Sequence, residues 1–118
     1  MSKLSSNIER KMNRSERRHE VFVLQLEREL IERGQYSAVG KHMNYYDPSD
    51  PSGKQIGEID VYGIKFDNDS IDLYEVKCGS KHQERANAQL KRARNEFSKH
   101  FTFVSLYAYL DGRLKEVH

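Results

Sequence analysis

The apolar positions of the first third of the chain follow a helical period. From Ser15 onward, apolar residues recur three, four and seven positions apart, at Val23, Leu26, Leu30 and Ile31. Ser15 can cap the start of such a helix, and Gly34 can end it in a left-handed conformation. We therefore predict a first helix from about Ser15 to Gly34, with those four apolar residues facing the core.

The middle of the chain changes to residues that favour strands. Residues 35–46 predict a strand with an irregularity at a glycine, and residues 47–55, which contain both prolines of the chain, predict a loop. Residues 58–66 and 70–78 are two further β-rich runs separated by a short turn of Asp, Asn and Ser. These two runs are predicted to form a hairpin. The long loop is a candidate for substrate contact or, equally, a plain connection between strands.

The last third returns to a helical period and ends in strands. Residues 82–100 carry a single apolar stripe, formed by Ala86, Leu90, Ala93 and Phe97. The apolar and aromatic run 101–110 predicts a buried strand, and residues 113–118 predict a short edge strand after a turn. The helix between the hairpin and the last long strand allows that strand to lie parallel to a neighbour. We therefore predict an α/β fold with a central mixed β-sheet flanked by helices.

Length and composition indicate one intracellular domain. The chain has 118 residues, of which 32% are charged, and a single cysteine. We expect a flexible basic N-terminal arm at residues 1–13 and one domain at residues 14–118. No apolar run approaches a membrane span or a secretory signal, and a lone cysteine agrees with a reducing compartment such as the cytoplasm.

Charged residues interrupt both strands of the predicted hairpin. Glu58 and Asp60 share one face of the first strand, and Glu75 and Lys77 share one face of the second. Hairpin pairing can bring Asp60 beside Glu75, and two converging carboxylates repel unless a proton or a cation relieves them. Hard oxygen ligands suit Mg²⁺ or Mn²⁺, so the pattern indicates metal-dependent phosphodiester hydrolysis.

The segments "GEIDVYGI" and "YEVK" resemble the acidic motif and the E-x-K motif of the PD-(D/E)XK nuclease superfamily. Ile59 stands where the usual proline precedes the first acid. The resemblance covers roughly residues 15–110 and implies a restriction-endonuclease-like αβββαβ core. It also implies that Asp60, Glu75 and the carbonyl of Val76 bind the metal, and that Lys77 serves the nucleophilic water.

Members of the superfamily often add a glutamate from the first helix and a glutamine from the helix after E-x-K. Glu20 and Glu27 lie two helical turns apart on one face. The resemblance favours Glu20 as a catalytic residue and metal ligand, with Glu27 as the alternative, and it points to Gln89 on the second helix. That glutamine is nearly as well explained as a polar residue at the edge of the helix.

Basic residues cluster near the N-terminus and on the second helix, where they can follow phosphates. The residues predicted to bind DNA are Arg17, Arg18, Lys81, Arg85 and Arg92. The five histidines lack the spacing of a zinc site. His19 and His82 are candidates for phosphate contact, but an exposed, neutral histidine is the favoured interpretation of each.

Among the members of this superfamily, the chain most resembles the small, single-domain Holliday junction resolvases of archaea and viruses. The resemblance therefore implies a homodimer that cuts branched or otherwise structured DNA. Two alternatives stay open: a less selective single-strand or flap nuclease, and a non-catalytic nucleic-acid-binding module that keeps the nuclease fold.

Overall fold

The computed structural model describes residues 12–79 and 83–118 of the chain. Its elements are α1 (Arg14–Arg33), β1 (Ala38–Tyr46), β2 (Gln55–Lys65), β3 (Ser70–Lys77), α2 (Gln83–Phe97), β4 (Phe103–Leu110) and β5 (Arg113–Val117). The predicted order of helices and strands is confirmed, including the short last strand. Most of the predicted N-terminal arm, residues 1–11, lies outside the described residues. Neither helix described here has the length and apolar character needed to cross a membrane.

The strands form one five-stranded mixed sheet in the order β1-β2-β3-β4-β5. All neighbouring strands are antiparallel except β3 and β4, which are parallel. The parallel pair follows from α2, which carries the chain from the end of β3 back to the start of β4. The protein is therefore an α/β fold with a central mixed sheet, as predicted.

One helix packs on each face of the sheet, because alternate residues of a strand point to opposite faces. On one face, α1 buries Val23, Leu26 and Leu30 against residues that include Tyr74 and Val76. On the other face, α2 buries Leu90, Ala93 and Phe97 against residues that include Ile71 and Leu73. The four predicted apolar residues of α2 are all buried, with Ala86 as the fourth.

The start and the outer face of α1 differ from the prediction. The N-cap is Asn13, whose side-chain oxygen accepts a hydrogen bond from the Glu16 N–H at 2.8 Å, and Ser15 already lies inside the helix. Asparagine and serine cap helices about equally well, so the propensities alone did not separate them. Ile31 is 57% exposed, since it points away from the sheet. The predicted stop at Gly34 is confirmed by its φ of 67°.

The irregularity of β1 also lies elsewhere than predicted. His42 adopts a positive φ of 54°, and the pairing with β2 shifts register between Tyr45 and Tyr46. Gly40 keeps regular pairing with Tyr62, and a Cβ at this position would collide with the Tyr62 ring. This glycine therefore serves packing rather than a bulge.

Strands β2 and β3 are paired along only part of their lengths. Their ladder joins Val61–Lys65 to Ser70–Tyr74 only, although β2 begins at Gln55 and β3 continues to Lys77. Beyond the ladder, the start of β2 pairs with β1 and the end of β3 pairs with β4. Asp60 on β2 and Glu75 on β3 are the first residues beyond the end of this ladder.

Candidate active site

Two carboxylates are buried where β2 and β3 separate. Asp60 is 5% exposed and Glu75 is 4% exposed. The backbone N–H of Val76 donates to Asp60 Oδ2 at 2.8 Å, so a side chain takes the place of a strand partner at this point. The carboxyl groups of Asp60 and Glu75 lie close enough for each to shift the pKa of the other. The structure therefore brings together the two acids that the sequence placed on separate strands.

Two buried carboxylates in contact cannot both carry a charge at low cost. Burial and the contact with Asp60 raise the pKa of Glu75 to about 10. Burial alone would raise the pKa of Asp60 as well, but hydrogen bonds from His19, Glu75 and the Val76 N–H outweigh it and hold that pKa below its usual value. At neutral pH the pair thus keeps one proton, which resides on Glu75.

His19, from the first half of α1, completes this cluster. Its Nε2 lies 3.3 Å from Asp60 Oδ2 and 3.0 Å from the carbonyl oxygen of Val76. Both neighbours are acceptors, so Nε2 carries a proton and donates to them. The hydrogen bond to Asp60 raises the pKa of His19.

His19 was predicted to be exposed, but only 34% of its side chain is exposed, and its alternative role as a phosphate contact stays a prediction. The sequence did contain a signal for its position, since His19 precedes the buried residues Val23 and Leu26 by four and seven positions. It therefore lies on the face of α1 that packs on the sheet.

The two candidate helical glutamates bind other partners. Glu20 lies 3.1 Å from His42 Nε2, and the opposite ring nitrogen of His42 lies 3.1 Å from Glu58 Oε1. Glu27 forms an ion pair with Lys41 at 3.0 Å. Glu20 lines the same cavity as His19 and Glu58, whereas the side chain of Glu27 is held by β1.

A cavity of about 290 Å³ is lined by His19, the residue that contacts Asp60. Its walls are formed by Ser15, Arg18, His19, Lys77, Cys78 and Arg85. Three of these side chains are basic, which makes the cavity a favourable place for an anion. Lys77, Arg18 and Arg85 therefore line one cavity, although they come from three separate segments of the chain.

The remaining predicted residues are spread more widely. Arg17 is exposed, and its Nε donates to the Met12 carbonyl at 3.1 Å. Arg92 is exposed on α2, and Lys81 and His82 lie outside the described residues. Arg18 also approaches Asp111 at 3.5 Å. The side-chain oxygen of Gln89 is buried without a hydrogen-bond partner among the described residues, so it retains an unused acceptor.

The donor atoms of the cluster fit a hard divalent cation. In the described part of the chain, no three His, Cys, Asp or Glu side chains are arranged to hold one metal ion. The cluster instead offers two carboxylates and the carbonyl of Val76. Mg²⁺ is commonly held by one or two carboxylates together with waters, so this oxygen set suits Mg²⁺ or Mn²⁺.

No family model matches the chain, and the searches of curated proteins and of solved structures also yield no match. The resemblance to the PD-(D/E)XK superfamily consequently depends on the motifs and on the geometry described above.

Proposed function

We propose that the protein is a metal-dependent DNA endonuclease with a restriction-endonuclease-like core, and that it hydrolyses phosphodiester bonds in branched DNA. The observation that carries this proposal is the buried Asp60–Glu75 pair, which His19 links to the Val76 carbonyl and to the wall of a cationic cavity. Burying two carboxylates in contact costs stability, so their presence is better explained by a function than by packing.

Asp60, Glu75 and the carbonyl of Val76 would hold Mg²⁺ or Mn²⁺. When bound, such an ion neutralises charge on the scissile phosphate and lowers the pKa of a coordinated water. The separation of β2 from β3 supports this role, because beyond the ladder the Val76 N–H donates to the carboxylate of Asp60 and not to a strand partner.

The cationic residues of the cavity have complementary tasks. Lys77 leaves the same strand as Glu75 and lies on the cavity wall, where its ammonium can orient a water and assist its deprotonation. Arg18 and Arg85 approach the cavity from α1 and α2 and can each bind phosphate oxygens. A DNA backbone held between the two helices would then present a phosphate to the acidic pair.

We base the proposed preference for branched DNA and the proposed homodimer on the resemblance to junction resolvases. Two opposed cuts in a junction need two sites, and one chain supplies one. The test is cleavage of a synthetic four-way junction, a linear duplex and a single strand, each with Mg²⁺ or Mn²⁺. We expect preferential cutting of the junction, and equal cutting of all three would refute the preference.

A second candidate is a nucleic-acid-binding module without catalysis. It is favoured by one observation: the proton on Glu75 and the N–H of His19 already satisfy Asp60 without a metal ion. Calorimetric titration with Mn²⁺ separates the two candidates. The nuclease must bind the ion through Glu75, so binding should weaken in Glu75→Gln, whereas the module predicts no binding to either protein.

A further inference from the structure

The ring of His19 stands where the oxygens of the acidic site converge. Its Nε2 donates both to Asp60 Oδ2, at 3.3 Å, and to the Val76 carbonyl, at 3.0 Å. These oxygens are two of the three groups that would hold a cation under the proposed function. A ring N–H and a cation cannot both occupy the space in front of them.

We infer that His19 is a placeholder for the cation, which hydrogen-bonds the metal-binding oxygens of the free protein and moves aside when a divalent ion binds. The inference depends on the proposed function, because it presumes that Asp60 and the Val76 carbonyl hold a metal ion.

Two features of the structure favour displacement over coordination by the ring. In the free protein Nε2 carries the proton that satisfies two acceptors, so coordination through Nε2 would first require this proton to leave or to move to Nδ1. The side chain is 34% exposed and lines two cavities, so the ring has room to turn. One of these is the cationic cavity, where a released imidazole N–H would face a bound phosphate.

The placeholder has a physical purpose in the free protein. Without a donor in this position, the Val76 carbonyl and one oxygen of Asp60 would face each other with lone pairs only, beside a second carboxyl group. The N–H of His19 removes this repulsion, at the cost of competing with the cation for the same atoms.

The inference is tested by titrating Mn²⁺ into the wild-type protein, His19→Ala and His19→Gln, by calorimetry at one fixed pH. Removing a competing hydrogen bond to a charged group should tighten Mn²⁺ binding roughly tenfold in His19→Ala. In His19→Gln the side-chain amide can still donate, so its affinity should stay closer to that of the wild type. His100→Ala, which removes an exposed histidine at the end of α2, serves as the matched control and should not change binding.

A second measurement needs no variant. The histidine rings are followed by nitrogen NMR before and after addition of diamagnetic Mg²⁺. Without Mg²⁺ the His19 ring should be hydrogen-bonded, and with Mg²⁺ its ring proton should exchange with solvent. Loss of the Nε2 proton together with a metal-bound shift would show that His19 is a ligand and would overturn the inference.

The outcomes separate the inference from the proposed function. Weaker Mn²⁺ binding in His19→Ala would make His19 a ligand, and unchanged binding would remove it from the site; both results overturn the placeholder and leave the nuclease proposal standing. If the wild-type protein and every variant fail to bind a divalent ion, the proposed function fails and the placeholder fails with it.

Discussion

Replacing Glu75 with glutamine should stabilise the metal-free protein at neutral and alkaline pH. The folded protein keeps a proton on this carboxyl because burial and Asp60 raise its pKa to about 10, from an ordinary value of 4.5. Glutamine has nearly the same shape, is always neutral and can donate its amide to Asp60 in place of the carboxyl proton. The substitution therefore removes the need to take up a proton on folding.

The size of the effect follows from linkage. A carboxyl whose pKa is raised by folding contributes stability below its unfolded pKa, and this contribution is lost as the pH rises toward the folded value. At pH 7.5 the protein is about three units above the ordinary carboxyl pKa, and each unit is worth about 1.4 kcal/mol, which sets an upper limit of about 4 kcal/mol. Water entry and relaxation around the pair reduce this limit, so we expect a gain of about 2 kcal/mol.

The assay is thermal unfolding followed by circular dichroism from pH 5 to pH 9, with a chelator present. A gain of about 2 kcal/mol in a domain of this length corresponds to a rise in Tm of roughly 8 °C at pH 7.5. The wild-type Tm should fall relative to that of Glu75→Gln as the pH rises. Glu116→Gln makes the same change on an exposed residue of β5 and should leave the Tm nearly unaltered. An equal or lower Tm for Glu75→Gln at every pH would mean that Glu75 is ionised in the folded protein.

Three further substitutions test the site and the fold. Asp60→Asn keeps an acceptor for the backbone but removes a metal-binding charge, so junction cleavage should fall roughly a thousandfold while DNA binding persists; undiminished cleavage would exclude Asp60 from the site. Arg85→Ala should reduce the slope of log K against log salt for DNA binding by about one, as measured by fluorescence anisotropy. Lys115→Ala on β5 should leave the slope unchanged. Equal slopes for Arg85→Ala and the wild type would remove the cationic cavity from the DNA-binding surface. Gly63→Ala places a methyl group 2.7 Å from the ring of Tyr36 and should cost about 1–3 kcal/mol in urea unfolding, and a loss near zero would show that the ring yields freely.

The amino-acid sequence alone determined the elements of the fold and their order. Helical and strand periods are local properties, so the apolar stripes of both helices, the hairpin and the final strands could be read directly. The motif around Asp60 and the E-x-K triplet also lie within single strands. Successive side chains of a strand point to alternate faces of the sheet, so the sequence predicts which residues of a strand share a face before any packing is known.

The tertiary structure decided how these pieces meet. Successive residues of a helix point about 100° apart, so the rotation of α1 on the sheet determines whether His19 or Glu20 reaches Asp60, and that rotation is set by packing with distant strands. The separation of β2 from β3 is likewise decided by their other neighbours, β1 and β4. Sequence patterns could therefore name the two carboxylates, but only long-range packing could place an imidazole between Asp60 and the Val76 carbonyl.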